Sequence, residues 1–135
     1  MISFVVYGTP QPKGSTRSFV KSGKAITTSD NPKLKDWQNI VAMIAQFHRP
    51  KDGLIQGPVS VRVKFSLIRP KSVSVKKRLL PITKPDLDKL TRSVCDALKG
   101  TIYNDDSQVV ELQARKEYGD SPGVRVEVTE YDTGL

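Results

Sequence analysis

The sequence has 135 residues, 37% of them hydrophobic and 27% charged, a composition that fits one soluble domain spanning residues 1–135 rather than a disordered chain. No apolar run approaches the roughly 18 residues that cross a bilayer, and no basic stretch precedes the first apolar residues, so we expect a cytoplasmic protein without a membrane partner. A single cysteine and a single histidine exclude an internal disulfide and a Cys/His zinc site, while a net charge of +8 indicates a nucleic acid partner.

The first half of the chain alternates predicted strands with loops that contain Pro and Gly. Residues 1–7 predict a strand, residues 8–14 a loop and residues 18–28 a hairpin around Ser22-Gly23. Apolar residues at helical spacing then predict a helix that is capped by Ser29 or Asp30 and ends near residue 48. The alternation of apolar and polar residues over 59–67 predicts a half-buried strand.

The second half predicts a basic loop, a helix and two strands. Residues 69–84 combine Lys and Arg with Ser and Pro, which favours an exposed loop with one helical turn. Residues 86–99 predict a helix that stops at Gly100, followed by a polar turn at 103–107. Residues 109–115 and 124–129 predict two strands that pair antiparallel. This order of elements indicates an α+β fold in which two main helices pack on a mixed β-sheet.

Acidic residues are concentrated in the second half of this basic chain. Residues 1–80 hold 15 Lys and Arg against 3 Asp and Glu, whereas residues 81–135 hold 7 against 11. A surface that binds phosphates needs no carboxylates, so the acids require their own explanation, and metal binding is one candidate. At 100° per residue Asp88, Arg92 and Asp96 share one helix face, opposite the apolar stripe. Pro85 favours a position for Asp86 just outside the helix, where it could converge with Asp88.

The acidic residues have a structural interpretation as well as a catalytic one. Asp86 and Asp88 could merely cap the helix and oppose its dipole, and residues 104–107 could form only a turn. Carboxylates at both ends of a helix that is bordered by Lys and Arg also suit Mg²⁺, which takes oxygen ligands and completes its shell with water and substrate phosphate. The pattern alone leaves both interpretations open.

Two segments resemble the motifs of a known family. Lys-Pro-Asp-Leu-Asp-Lys-Leu-Thr-Arg at residues 84–92, continuing to Asp96, and Asn-Asp-Asp-Ser-Gln-Val-Val at residues 104–110 closely resemble the Holliday-junction resolvases of the RusA type. The resemblance extends over nearly the whole chain. It implies an endodeoxyribonuclease of DNA recombination and repair that acts as a homodimer on four-way junctions. It also implies dependence on Mg²⁺, with Mn²⁺ as an alternative ion, and on no small-molecule cofactor.

The resemblance also implies roles for individual residues. Asp86, Asp88 and Asp106 match the family's catalytic, metal-binding carboxylates, and Arg92 matches its functional basic residue. Many members have Lys in place of Arg92 and Asn in place of Lys89. Arg92 keeps the positive charge but cannot act as a proton-donating ammonium. From charge and position, we expect phosphate contacts from Lys13, Arg17, Lys76, Lys77, Arg78 and Lys89.

Two other functions are compatible with the same residues. One is a metal-dependent nuclease for another branched DNA, because the acids indicate the reaction class better than the shape of the substrate. The other is a junction-binding protein without catalysis, in which the acids are structural.

A two-fold-symmetric junction needs two nicks and one chain offers one acidic cluster, so a C2 homodimer is the simplest assembly for a resolvase.

Overall fold

The computed structural model of the protein describes residues 1–14, 16–29 and 31–131, and for residues 16–21 and 25–29 it describes the backbone alone. The elements in chain order are β1 (Ile2–Tyr7), β2 (Thr16–Lys21), β3 (Lys24–Ser29), α1 (Leu34–Gln46), β4 (Val59–Leu67), α2 (Leu87–Leu98), a 3₁₀ helix (Asp106–Gln108), β5 (Val109–Tyr118) and β6 (Gly123–Glu130). Neither α1 nor α2 is long and apolar enough to span a membrane, and these are the α-helices of the described residues.

Four strands form a mixed sheet in the order β1-β6-β4-β5. β4 pairs with β6 antiparallel and with β5 parallel, while β1 pairs with β6 antiparallel. β2 and β3 form a separate antiparallel hairpin, as residues 18–28 predict. The sheet with its two helices confirms the α+β fold class.

The core lies between the helices and one face of the sheet. β4 places Val59, Val61, Val63 and Phe65 inside at 0–1% exposure, because alternate residues of a strand point to the same face. Apolar side chains of β1, β6 and both helices complete the core, among them Trp37 of α1. The opposite face of β4 carries Arg62 and Lys64, which remain exposed.

The connection from β4 to β5 positions the candidate site. Parallel neighbours cannot be joined by a hairpin, so the chain crosses over through the loop 68–86 and α2 before it enters β5. α2 therefore lies against β5, and the segment 99–108 returns the chain to the start of that strand. Residues along α2, Asp106 and the first part of β5 line one groove in this crossover.

The predicted pairing of β5 with β6 and the predicted cap of α1 differ from the structure. β5 and β6 are joined by a short loop and run in opposite directions, but they are not paired, because the strongly apolar β4 lies between them and bonds to both. Lys33, and not Ser29, occupies the N-cap position of α1, and Ser29 is the last residue of β3. Asn31 accepts a hydrogen bond from the backbone N–H of Lys33 at 3.1 Å. Asp30, the alternative cap, lies outside the described residues.

Candidate active site

A groove of about 760 Å³ lies between α2 and β5 and is called the α2–β5 groove below. Its apolar lining comes from Leu87, Val109, Leu112 and Ala114. Its polar lining includes Asp88, Arg92, Asp96 and Asp106. Three carboxylates and one guanidinium thus face a half-open space whose remaining walls are largely apolar.

The three polar residues of α2 lie on one face, as their spacing predicts. α2 buries Leu90, Val94 and Leu98 completely in the core, and this apolar stripe turns Asp88, Arg92 and Asp96 outward to the groove. Because 88, 92 and 96 are four residues apart, they stack along the helix at a rise of about 1.5 Å per residue, so Asp88 and Asp96 are separated by about 12 Å along the axis.

The segment that carries Asp106 is fixed by its neighbours. Asp105 caps the 3₁₀ helix by accepting a hydrogen bond from the Ser107 backbone N–H at 2.9 Å, and it lies 3.4 Å from Lys99. The bond from Ser107 and the charge of Lys99 hold the pKa of the Asp105 carboxyl below its ordinary value. Gln108 donates to the carbonyl oxygens of Ile55 at 2.7 Å and of Gly57 at 2.9 Å. Asp105 and Gln108 therefore hold the turn while Asp106 lines the groove.

Tyr103 links Asp106 to α2. Its side chain is fully buried, and its hydroxyl lies 3.4 Å from Asp106 Oδ1 and 3.3 Å from the carbonyl oxygen of Cys95, so its single proton can be donated to either acceptor. Burial raises the pKa of Tyr103 above its ordinary value, so the hydroxyl keeps its proton. These contacts place Asp106 beside the C-terminal half of α2, away from Asp88 in the first turn.

Cys95 is not a candidate nucleophile. Burial raises the pKa of its thiol from 9.0 to about 11, and the negative charge of Asp106 adds to this shift. A thiol with such a pKa is protonated at neutral pH, whereas a nucleophilic cysteine acts as the thiolate. Cys95 contributes a small apolar surface to the groove.

Asp86 lies at the N-terminal end of α2 but lines a different cavity. It occupies the N-cap position with extended backbone geometry, outside the helix as Pro85 predicts, and makes no capping hydrogen bond with its side chain. The carboxylate instead faces Lys89 at 3.7 Å and borders a second cavity of about 440 Å³, which Lys84 and the loop 9–14 also line. Asp86 therefore occupies the N-cap position through its backbone alone, and its side chain remains half exposed.

Lys116 of β5 supports the segment that leads into Asp86. Its ammonium donates to the carbonyl oxygens of Thr83 and Pro85, both at 2.8 Å. The sequence gives no local signal for this contact, because 31 residues or more separate Lys116 from its partners. The same applies to Gln108 and Tyr103, whose roles depend on contacts with Ile55, Gly57 and the end of α2.

The donor set has the chemistry that a hard divalent cation prefers, since it consists of carboxylate oxygens. Asp88 and Asp106 are exposed and make no ion pair with the described part of the chain. Within residues 1–14, 16–29 and 31–131, however, no three Asp, Glu, His or Cys side chains form a cluster able to hold a metal by themselves. The geometry explains this: Asp86 and Asp88 lie near the start of α2, and Asp106 lies near its end. Mg²⁺ commonly takes only one or two protein carboxylates, with water and phosphate completing its shell, so Asp88 or Asp106 can serve such an ion without a third carboxylate beside it.

The expected phosphate contacts are spread over four segments of the chain. Lys76 and Lys77 are exposed in the loop between β4 and α2, while Arg78 is half-buried and donates to Tyr118 Oη at 3.4 Å. Lys89 lies on α2 beside Asp88, and Lys13 reaches Asp96 from the N-terminal loop at 2.6 Å. The backbone of Arg17 lies in β2, and its side chain is outside the described residues.

Comparison with known proteins adds to this geometry. A sequence model of the family described as endodeoxyribonuclease RusA matches residues 8–129, which include both cavities and every acidic residue discussed above. The chain is also similar to YqaN, an uncharacterised protein of Bacillus subtilis (strain 168). The two are 42% identical over 96% of this chain and 96% of YqaN.

Proposed function

The chain belongs to the RusA family of endodeoxyribonucleases, and from that premise we propose that it resolves four-way DNA junctions by metal-dependent hydrolysis of phosphodiester bonds. The observation that carries the proposal is the α2–β5 groove, where Asp88 and Asp106 have no ion-pair partner among the described residues and face the same space as Arg92. In a chain of net charge +8, such uncompensated carboxylates are positioned for a cation rather than for DNA. Membership of an endodeoxyribonuclease family supports DNA as the molecule that is cleaved at this site.

In this proposal Asp86, Asp88 and Asp106 would bind the metal, Asp88 and Asp106 from the α2–β5 groove and Asp86 from the N-cap of α2 beside the second cavity. A bound Mg²⁺ or Mn²⁺ ion supplies Lewis-acid polarisation of the phosphate and a water of lowered pKa. The protein holds the carboxylates at their places: the N-terminus of α2 carries Asp86 and Asp88, and Tyr103 orients Asp106. Arg92 is a fixed positive charge beside them, and its guanidinium stabilises negative charge that develops on the phosphate oxygens.

The basic residues outside the acidic set position the DNA backbone. Lys76, Lys77 and Arg78 lie in the loop that leads to Asp86, and Lys89 of α2 lines the second cavity. Contacts of this kind recognise the path of the phosphates and not the base sequence. Lys116 keeps the end of the loop attached to β5, so that a strand bound by the loop is directed to the carboxylates.

The proposed assembly is a homodimer. A four-way junction has two-fold symmetry, and its resolution requires two nicks placed symmetrically. Each chain contributes one set of groove carboxylates, so a C2 dimer presents two sets related by the same symmetry as the substrate. Mass measured by light scattering, with and without a junction, tests this part of the proposal.

Cleavage of an end-labelled synthetic junction tests the function. The wild-type protein, with Mg²⁺ and separately with EDTA, is compared with Asp88→Asn and with Asp120→Asn, an exposed aspartate in the β5–β6 loop that serves as a matched control. We expect paired, symmetric, metal-dependent nicks from the wild type and the control and none from Asp88→Asn. Equal cleavage of a flap would favour a nuclease of other branched DNA. Tight binding without cleavage under Mg²⁺ or Mn²⁺ would contradict the catalytic proposal and favour a binding protein.

A further inference from the structure

An ion pair joins the N-terminal loop to the groove face of α2. Lys13 Nζ lies 2.6 Å from Asp96 Oδ2, although 83 residues separate the two in the chain. Asp96 lines the α2–β5 groove, so the ammonium of Lys13 is brought to its edge. The two side chains are 38% and 28% exposed, which leaves both open to a ligand that enters the groove.

The backbone around Lys13 is held in place by contacts with two other segments. The Lys13 N–H donates to the carbonyl oxygen of Lys89 on α2 at 3.0 Å, and Asn31 donates from its side-chain amide to the carbonyl oxygen of Pro12 at 3.0 Å. Pro10 and Pro12 further restrict φ within this loop. These contacts fix the position of the loop, so Lys13 is held at the edge of the groove.

The charges of the groove distinguish Asp96 from the other two aspartates. Asp88 and Asp106 have no cationic partner in the described part of the chain, whereas the charge of Asp96 is already compensated by Lys13. An ammonium has three N–H donors, and a single carboxylate contact leaves others available to an anionic oxygen. Arg92 lies one turn before Asp96, so a phosphate in the groove would meet a guanidinium and an ammonium side by side.

We propose that Lys13 binds the phosphate that is cleaved and that Asp96 is a positioning residue that holds Lys13 at the groove, not a ligand of the metal. This inference rests on the proposed nuclease function and deepens it. It changes the role of Lys13 from a general contact with the DNA backbone to a contact with the reacting phosphate. It also places the second cation of the site on a segment 79 residues before Arg92 in the chain.

Single-turnover cleavage of a labelled junction, with protein in excess, tests the inference. We expect Lys13→Met to slow cleavage about 100-fold, as is typical when a donor to the reacting oxygens is lost. Lys13→Arg keeps the positive charge and should cleave at least about tenfold faster than Lys13→Met. The junction Kd, measured in EDTA, should change by less than about threefold, because one phosphate contact is a small part of the electrostatic attraction. Asp96→Asn should slow cleavage about tenfold in the wild-type background and less than about twofold in Lys13→Met, since its effect acts through the lysine.

Two comparisons decide the outcome. Arg62→Met removes another partly exposed ion pair, with Glu127 at 3.7 Å on the opposite face of the sheet, and should leave the rate unchanged. Thermal unfolding of each variant separates a loss of rate from a loss of folded protein. A Lys13→Met rate within about twofold of wild type, or an Asp96→Asn defect that persists in Lys13→Met and is relieved by more Mg²⁺, would overturn the inference. Either result leaves wild-type cleavage intact, whereas failure of the proposed function would appear as no cleavage by the wild type.

Discussion

Removal of the Tyr103 hydroxyl tests how the groove holds Asp106. Tyr103→Phe keeps the ring in the core and deletes only the oxygen that lies 3.3 Å from the Cys95 carbonyl and 3.4 Å from Asp106 Oδ1. Both contacts are long, and the Cys95 carbonyl keeps a bond from the Lys99 N–H at 3.1 Å, so no buried acceptor is left without a donor. We expect a loss of about 1 kcal/mol in the free energy of unfolding, typical of one hydrogen bond. For a chain of this length, that loss lowers Tm by about 3 to 4 °C.

The effect on cleavage should be larger than this small loss of stability suggests. A partner that orients a metal-binding carboxylate typically contributes about 10- to 100-fold in metal affinity or activity. We therefore expect the Mg²⁺ concentration for half-maximal junction cleavage to rise at least about tenfold in Tyr103→Phe. Tyr131→Phe, which removes a hydroxyl that bonds to exposed Glu111, is the matched control and should not change it. A Mg²⁺ midpoint equal to that of wild type, together with the lowered Tm, would show that the Tyr103 hydroxyl stabilises the fold without orienting Asp106 for the metal.

Three further predictions concern the groove, the turn that carries Asp106 and the sheet. Cys95 has a thiol pKa of about 11, so its alkylation at pH 8 should be about 100-fold slower than that of the unfolded chain and should accelerate as the pH rises towards 11; equal rates in the folded and unfolded protein would contradict its burial. Gln108→Ala removes three hydrogen bonds and should lower the free energy of unfolding, measured with denaturant, by about 2 to 3 kcal/mol. Gln113→Ala, on the open face of the sheet, should lower it by less than about 0.5 kcal/mol. Similar losses in the two variants would refute the anchoring role of Gln108. Gly123→Ala places a Cβ 2.5 Å from the Val6 carbonyl oxygen and should destabilise the β1–β6 pairing by about 1 to 3 kcal/mol, and an unchanged unfolding midpoint would argue against this register.

Elements with strong periodicity were predictable from the sequence. β4 begins and ends where the alternation of residues 59–67 predicts, because one face of that strand is buried and the other is not. The groove face of α2 follows from helical spacing, and Gly100 ends that helix with a positive φ of 76°, a conformation that glycine adopts readily. These features depend on residues that are close together in the chain.

Features that depend on distant contacts could not be predicted. In the sheet, β4 lies between β5 and β6. The alternation of apolar and polar residues in a strand does not depend on which strand lies beside it, so the pattern could not predict this order. The buried position of Tyr103 differs from the polar turn predicted at 103–107, since its ring packs beneath α2. Spacing suggested that Asp86 and Asp88 could converge, but it could not show that Asp86 pairs with Lys89 and borders a second cavity, which the loop 9–14 also lines.

Resolution of a supercoiled plasmid with an extruded cruciform tests the central claim most directly, because the product reports both the substrate and the pairing of the nicks. With Mg²⁺, the wild-type protein should convert the plasmid to the linear form, and Asp106→Asn should leave it supercoiled while still binding the cruciform. A plasmid without the cruciform should remain intact. Nicked circles as the only product, or equal cleavage of the plasmid that lacks the cruciform, would contradict the account of this protein as a junction-resolving endonuclease.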